Sequence, residues 1–145
     1  MHARTWLDSG DRFPPGGELF RSDRDFTVWA YTVSHSQLLL RTRTHADRSR
    51  IDIVFKPVEA VKLRTEYHGL VIRCATREES DRIGSETGGV PPGARCLILE
   101  TAGEQGHQDY VVTYAVGWEE DLETDRDPSK LAGFAPASDP DRILG

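Results

Sequence analysis

The most constraining feature of this chain is the spacing of its apolar, aromatic and β-branched blocks, which recur between positions 26 and 118 with turn residues between them. Blocks of this length, separated by Gly, Pro, Asn, Asp or Ser, are typical of antiparallel strands joined by short loops. The pattern therefore predicts an all-β domain and disfavours a helical one.

About seven strands are predicted. They cover residues 26–33, 37–43, 51–55, 58–65, 70–75, 95–101 and 109–118. In the last of these, Tyr110, Val112, Tyr114, Val116 and Trp118 alternate with other residues, so we expect them on one face. The sequence predicts the strands to be antiparallel, in a sandwich or a small barrel with one or two short helical turns.

Two short helical turns are predicted from end signals. Thr76 followed by Glu79 fits a capping box, in which each side chain satisfies a backbone amide at the helix start. We expect this helix to end near Gly84 or Gly88. Asp127 and Pro128 predict a second, one-turn helix reaching Leu131.

The chain length predicts a single domain over residues 1–145. Within it, we expect an extended N-terminal arm at residues 1–25, because Gly and Pro interrupt that segment and its aromatic residues are irregularly spaced. The predicted β core follows at residues 26–118. An acidic segment and a C-terminal tail occupy residues 119–145.

Charge is unevenly distributed along the chain. Residues 1–75 hold twelve Lys and Arg against nine Asp and Glu, whereas residues 76–145 hold six against fifteen. The net charge of −6 disfavours nucleic acid as a partner, because that interaction depends on cations that contact phosphate. No apolar run is long enough to cross a membrane, and none at the N-terminus resembles a signal peptide. We therefore expect a cytoplasmic protein.

The basic segment around residues 41–50 is one candidate binding site. It contains four arginines, Arg41, Arg43, Arg48 and Arg50. The planar guanidinium group suits carboxylates and phosphates, so the segment is predicted to bind an anionic partner unless it is only a solvated hairpin end. A further hypothesis pairs these arginines with the acidic run after Trp118, either within one molecule or between two copies.

A second candidate site is a cavity lined by aromatic residues. Its predicted lining is Trp29, Tyr31, Tyr110, Tyr114 and Trp118. If the sheet closes into a barrel, apolar walls with a few phenol groups suit a small molecule. The alternative is that these side chains simply fill the core.

Catalytic and metal-binding motifs are missing from the sequence. The five histidines lack the spacing of a zinc site, no glycine-rich phosphate loop is present, and no nucleophile motif occurs. We predict no metal and no cofactor. Cys74 and Cys96 lie in apolar blocks, which favours buried reduced thiols over a disulfide.

The sequence therefore does not determine a biochemical activity. It favours a non-catalytic β-domain that acts by association with a protein partner or with itself. The alternative is a small-molecule-binding β-barrel or an enzyme with an interior site of Tyr, His and Arg. An internal pocket would favour the second class, whereas a filled interior with an exposed apolar surface would favour the first.

Overall fold

The computed structural model describes residues 3–43, 48–101, 108–123 and 129. Within these ranges it contains nine strands and one α-helix. The strands are β1 (Ala3–Leu7), β2 (Glu18–Thr32), β3 (Gln37–Thr42), β4 (Arg50–Phe55), β5 (Val58–Lys62), β6 (Glu66–Cys74), β7 (Arg95–Glu100), β8 (Asp109–Thr113) and β9 (Val116–Asp121). The helix α1 spans Arg77–Thr87, and two 3₁₀ turns lie at Gly10–Arg12 and Val33–His35.

All paired strands are antiparallel and form one sheet, in the order β1-β9-β4-β3-β2-β6-β7-β8-β5. The predicted all-β antiparallel class is confirmed. Nine strands replace the predicted seven, and the sheet is not closed into a barrel. The predicted one-turn helix at residues 127–131 lies outside the described residues.

The N-terminal region contains two strand segments that the sequence pattern did not indicate. β1 pairs with β9, and β2 already begins at Glu18, where it pairs with β6. Trp6 lies directly opposite Gly117, and a Cβ atom on that glycine would come within 2.8 Å of the Thr5 carbonyl oxygen. The glycine thus provides the room that the Trp6 ring occupies.

The last predicted strand is interrupted at Tyr114 and Ala115, which separate β8 from β9. The facing strands β4 and β5 are separated by Lys56 and Pro57, and proline lacks the amide that a ladder requires. The two connecting segments stay hydrogen-bonded to each other through the bend. The Lys56 amide donates to the Ala115 carbonyl oxygen at 3.0 Å, and the Tyr114 amide donates to the Pro57 carbonyl oxygen at 3.2 Å.

One face of the sheet encloses the main core. Its buried members come from eight of the strands and include Phe26, Leu40, Ile53, Phe55, Tyr67, Leu70, Ile72, Leu97, Val111 and Val116. Phe20 packs edge-on against Phe26 and Trp118, with ring centroids 5.9 and 5.3 Å apart respectively. Apolar side chains therefore fill the space between the curved strands.

Helix α1 covers part of the opposite face. Ile83 is its main apolar contact and packs with Cys96, Ile98, Tyr110 and Val112. The predicted capping box is present, since the Glu79 amide donates to the Thr76 hydroxyl and the Thr76 amide donates to the Glu79 carboxylate. Gly88 ends the helix with a φ of 84°, a conformation that glycine adopts at little cost.

Within the described part of the chain, α1 is the sole α-helix, and no helix there is long and apolar enough to cross a membrane.

Candidate functional site

The tip of the β2–β3 hairpin exposes aromatic and apolar side chains. Trp29 is 40% exposed, Tyr31 51% and Val33 81%. Trp29 sits at a bulge, where its ring lies 5.2 Å from the guanidinium carbon of Arg41. Tyr31 is opposite Leu38, and its hydroxyl lies 3.2 Å from that of Ser36. We call residues 29–33 the hairpin edge.

The backbone of the hairpin edge is open on one side. β2 pairs with β3 as far as Thr32, but its pairing with β6 stops at Thr27, followed by one bond from the Val28 amide to the Thr65 carbonyl oxygen. The Lys56 amide donates to the Ala115 carbonyl oxygen on the β9 side, so by alternation Phe55 directs its backbone groups toward β3, where its partner is Leu38. Leu38 consequently bonds to β4, and Tyr31 opposite it directs its own backbone groups away from β3, where no described strand pairs with them.

The predicted arginine cluster divides into buried and exposed members. Arg41 and Arg50 are 2% and 0% exposed and share Asp52, at 2.6 and 3.7 Å respectively. Arg50 also makes two hydrogen bonds to Asp121, at 3.1 and 3.0 Å. Arg4 contacts Glu119 beside them. These contacts join the basic segment to the acidic run within one molecule.

The other two arginines of the cluster lie at the surface. Arg43 is exposed and its guanidinium lies 3.5 Å from the Glu66 carboxylate. Arg48 is also exposed, and its charge contributes, after burial, to lowering the pKa of Arg24. The four side chains therefore do not converge on one anion site, because two are engaged in buried ion pairs.

The five predicted cavity residues are placed in different environments. Trp29 and Tyr31 are exposed at the hairpin edge, whereas Tyr110 is buried under α1 with its hydroxyl donating to Glu86 at 3.1 Å. Trp118 packs against the main core on the other face. Tyr114 lies in the bend, and this bend moves the residues before and after it to different faces. They do not line one cavity.

A cleft of about 710 Å³ lies at the side of α1, and we call it the α1 cleft. Its apolar walls and floor come from the N-terminal segment, the ends of β6 and β7, and the loop after α1. Ser80, Asp81 and Ser85 line it from the helix, and Arg95 lines it from β7. The apolar lining consists of Phe13, Pro15, Cys74, Ala75, Gly84, Val90, Ala94 and Cys96.

Arg95 is held in place at this cleft. Its guanidinium carbon lies 4.8 Å from the centre of the Phe13 ring, and its terminal nitrogens donate to the carbonyl oxygens of Gly93 and Asp8, the latter at 3.4 Å. No carboxylate of the described residues forms an ion pair with it. The cleft therefore contains an oriented positive charge that ring and backbone contacts hold.

The cleft thiols are not activated for nucleophilic chemistry. Cys74 and Cys96 are free and buried, and burial raises the pKa of each thiol. For Cys96 a hydrogen bond with the Ser80 hydroxyl partly offsets that rise. A reactive cysteine needs a lowered pKa and an electropositive neighbour, so the thiols serve as apolar surface.

A buried polar cluster lies beside the turn between β5 and β6. The Tyr67 hydroxyl donates to Asp109 at 2.7 Å, and the Arg64 amide donates to the same carboxylate at 3.2 Å. Burial, together with the hydrogen bond to Asp109, raises the pKa of Tyr67 well above its ordinary value. The phenol stays protonated and acts as a structural donor.

Metal-ligand clusters are not seen in the described ranges, where no three His, Cys, Asp or Glu side chains are grouped to hold an ion. His35 and His68 are exposed, and His68 lies 3.4 Å from Asp25. The other three histidines, His2, His45 and His107, lie outside the described residues.

Sequence reasoning missed the α1 cleft, since its lining comes from residues between 13 and 96 that no local motif connects. The only available signal was an arginine that follows a Gly- and Pro-rich loop. No family model, curated protein or solved structure matches this chain.

Proposed function

We propose that this protein is a non-catalytic β-domain that functions by association, and that its partner is a second copy of itself docked along the hairpin edge. The observation that carries the proposal is the combination of an open strand edge with exposed aromatic side chains in residues 29–33. Such an edge is a template for pairing with another chain. The apolar filling of the main core supports this reading over the interior-site alternative.

The hairpin edge is self-complementary. In an antiparallel arrangement centred on Tyr31, the outward backbone groups of the two Tyr31 residues face each other, and Ala30 of one copy lies opposite Thr32 of the other. The two Tyr31 side chains then meet across the two-fold axis. An isologous dimer of this kind is the commonest oligomer of soluble proteins.

The distribution of charged side chains favours pairing at the hairpin edge over pairing at the outer strand β5. Residues 29–34 contain no Asp, Glu, Lys, Arg or His, so chains with a net charge of −6 can approach one another there without like charges facing each other. By contrast, the outer strand β5 carries Glu59 and Lys62, both exposed. Charged residues of this kind protect an edge from pairing.

Sedimentation over a range of protein concentrations tests the proposal. We expect the wild-type protein to dimerise at tens of micromolar. Tyr31→Lys, which places two charges at the axis, and Tyr31→Pro, which removes the outward amide, are expected to give monomers. Val61→Lys is the matched control, because Val61 is similarly exposed, at 47%, but lies on β5. It should leave the dimer intact.

The salt dependence of dimerisation distinguishes this proposal from ion pairing between the arginine-rich segment of one copy and the acidic run of another. Association through apolar and backbone contacts is expected to persist at high ionic strength, whereas ion pairing between copies weakens with added salt. A wild-type monomer at all concentrations, or equal effects of Tyr31→Lys and Val61→Lys, contradicts the proposal.

The proposal includes a cytoplasmic location and no role for nucleic acid. Two buried free thiols fit a reducing compartment, and the net negative charge disfavours phosphate backbones as partners. Fractionation of cells that produce the full-length protein, followed by detection of the chain, tests the location.

A further inference from the structure

We propose that the α1 cleft binds a small molecule with an apolar body and a single carboxylate, and that Arg95 holds the carboxylate. This site is separate from the hairpin edge and does not depend on self-association. Its volume of about 710 Å³ is within the usual range for pockets that hold metabolite-sized ligands.

Arg95 supplies the recognition element. Contacts with the Phe13 ring and with two backbone carbonyl groups hold the guanidinium without neutralising its charge. A guanidinium fixed in this way loses little conformational entropy when it binds an anion. Since its hydrogen bonds to a carboxylate are charge-assisted, they are stronger than bonds between neutral groups.

The remaining lining sets the shape and charge of the ligand. Phe13, Val90 and Ala94 form apolar walls, and the two thiols lie among them. Ser80 and Ser85 add hydroxyl groups along the helix. Asp81, exposed on the helix side, disfavours a second negative charge on the ligand. A monocarboxylate with an aromatic or alkyl body therefore fits better than a phosphate dianion.

Isothermal titration calorimetry with three probes tests the charge requirement on the wild-type protein. The probes are phenylbutyrate, phenylbutanol and phenylbutylamine, which share an apolar body and differ in the charge of the head group. We expect saturable binding of phenylbutyrate, binding of the alcohol weaker by about tenfold, and still weaker binding of the amine. Equal affinity for all three overturns the proposal, as does the absence of saturable phenylbutyrate binding.

Three variants test the location. Arg95→Gln is expected to reduce phenylbutyrate affinity by about tenfold while changing phenylbutanol affinity little. Gly84→Leu keeps Arg95 but places a leucine side chain in the cleft, because Gly84 lines it and a Cβ there would lie beside Val90, another lining residue, at 3.8 Å. It should abolish binding of both probes. Arg82→Gln removes an exposed charge from the same helix outside the cleft lining and should change neither affinity.

Each variant is first checked for folding by circular dichroism and thermal melting. If Arg95→Gln fails to fold, the probe series on the wild type and the Gly84→Leu variant still decide the question. Unchanged phenylbutyrate binding to a folded Gly84→Leu protein places the ligand elsewhere and overturns the proposal.

Discussion

Arg73 on β6 makes two hydrogen bonds to the carboxylate of Glu79 on α1, at 2.7 and 2.8 Å. The same carboxylate caps the first turn of the helix through the Thr76 amide. One side chain therefore fixes both the start of α1 and its position on the sheet, and with it one wall of the α1 cleft.

The first prediction concerns the pH dependence of this contact. Hydrogen bonds from Arg73, more than its charge alone, lower the pKa of Glu79 from 4.5 to about 2. Because the folded-state pKa lies below the unfolded one, the stabilisation is complete above about pH 4.5 and is lost as the pH falls toward 2. Glu79→Gln should lower the free energy of unfolding by about 2 kcal/mol at neutral pH.

Urea unfolding at neutral pH and at about pH 3 measures the effect. The difference between wild type and Glu79→Gln should shrink at the lower pH. Glu78→Gln is the control, since Glu78 is exposed in the same helical turn. A difference that is independent of pH contradicts the assignment.

The second prediction concerns the buried arginines. Arg50→Met removes the two hydrogen bonds to Asp121 and leaves that carboxylate, which is 4% exposed, without them. We expect a loss of about 3 to 5 kcal/mol in the free energy of unfolding. The double variant Arg50→Met/Asp121→Leu should recover much of that loss, because the buried Asp121 carboxylate is then absent and Asp52 keeps its contact with Arg41 at 2.6 Å.

Arg43→Met serves as the comparison, because Arg43 is exposed and its ion pair is screened by solvent. Its effect should stay below about 0.5 kcal/mol. Chemical denaturation of all four proteins gives the comparison, and similar losses for Arg43→Met and Arg50→Met would show that burial does not govern the two sites.

A third prediction compares two glycines. Gly117→Ala forces a Cβ against the Trp6 ring and within 2.8 Å of the Thr5 carbonyl oxygen, so β1 must move. We expect a loss of about 2 kcal/mol. Gly84→Ala meets only an ordinary contact at 3.8 Å and removes a glycine from a helix interior. It should stabilise the protein by about 0.5 to 1 kcal/mol. Melting temperatures that shift in the same direction contradict this reading.

The last prediction concerns the thiols. Cys74 and Cys96 are buried, and burial raises the pKa of each. Because the thiolate is the reactive form, both should react slowly with a disulfide reagent in the native protein and rapidly in denaturant. The time course of thiol release measures this. A thiol that reacts rapidly in the folded protein would show an accessible or activated cysteine instead.

The candidate sites show where prediction from sequence stops. Each of Arg41 and Arg50 has a sequence environment that suggests a solvated hairpin end, yet each is buried beside an acidic residue of a neighbouring strand, Asp52 for Arg41 and Asp121 for Arg50. The alternation of apolar and other residues around Tyr114 predicts one continuous strand face. The bend between β8 and β9 instead places the residues after it on the opposite face of the sheet. Both outcomes depend on which strands become neighbours, and local patterns do not encode that.

The amino-acid sequence by itself determined the antiparallel β class and the capped start of α1 at Thr76, and it narrowed the end of the helix to Gly84 or Gly88, because period-two hydrophobicity and capping groups act over a few neighbouring residues. Only the tertiary structure decided the pairing of β1 with β9, the burial of the arginines, the open hairpin edge and the α1 cleft. These features arise where segments far apart in the chain meet, and strand register and packing, rather than local preference, bring them together.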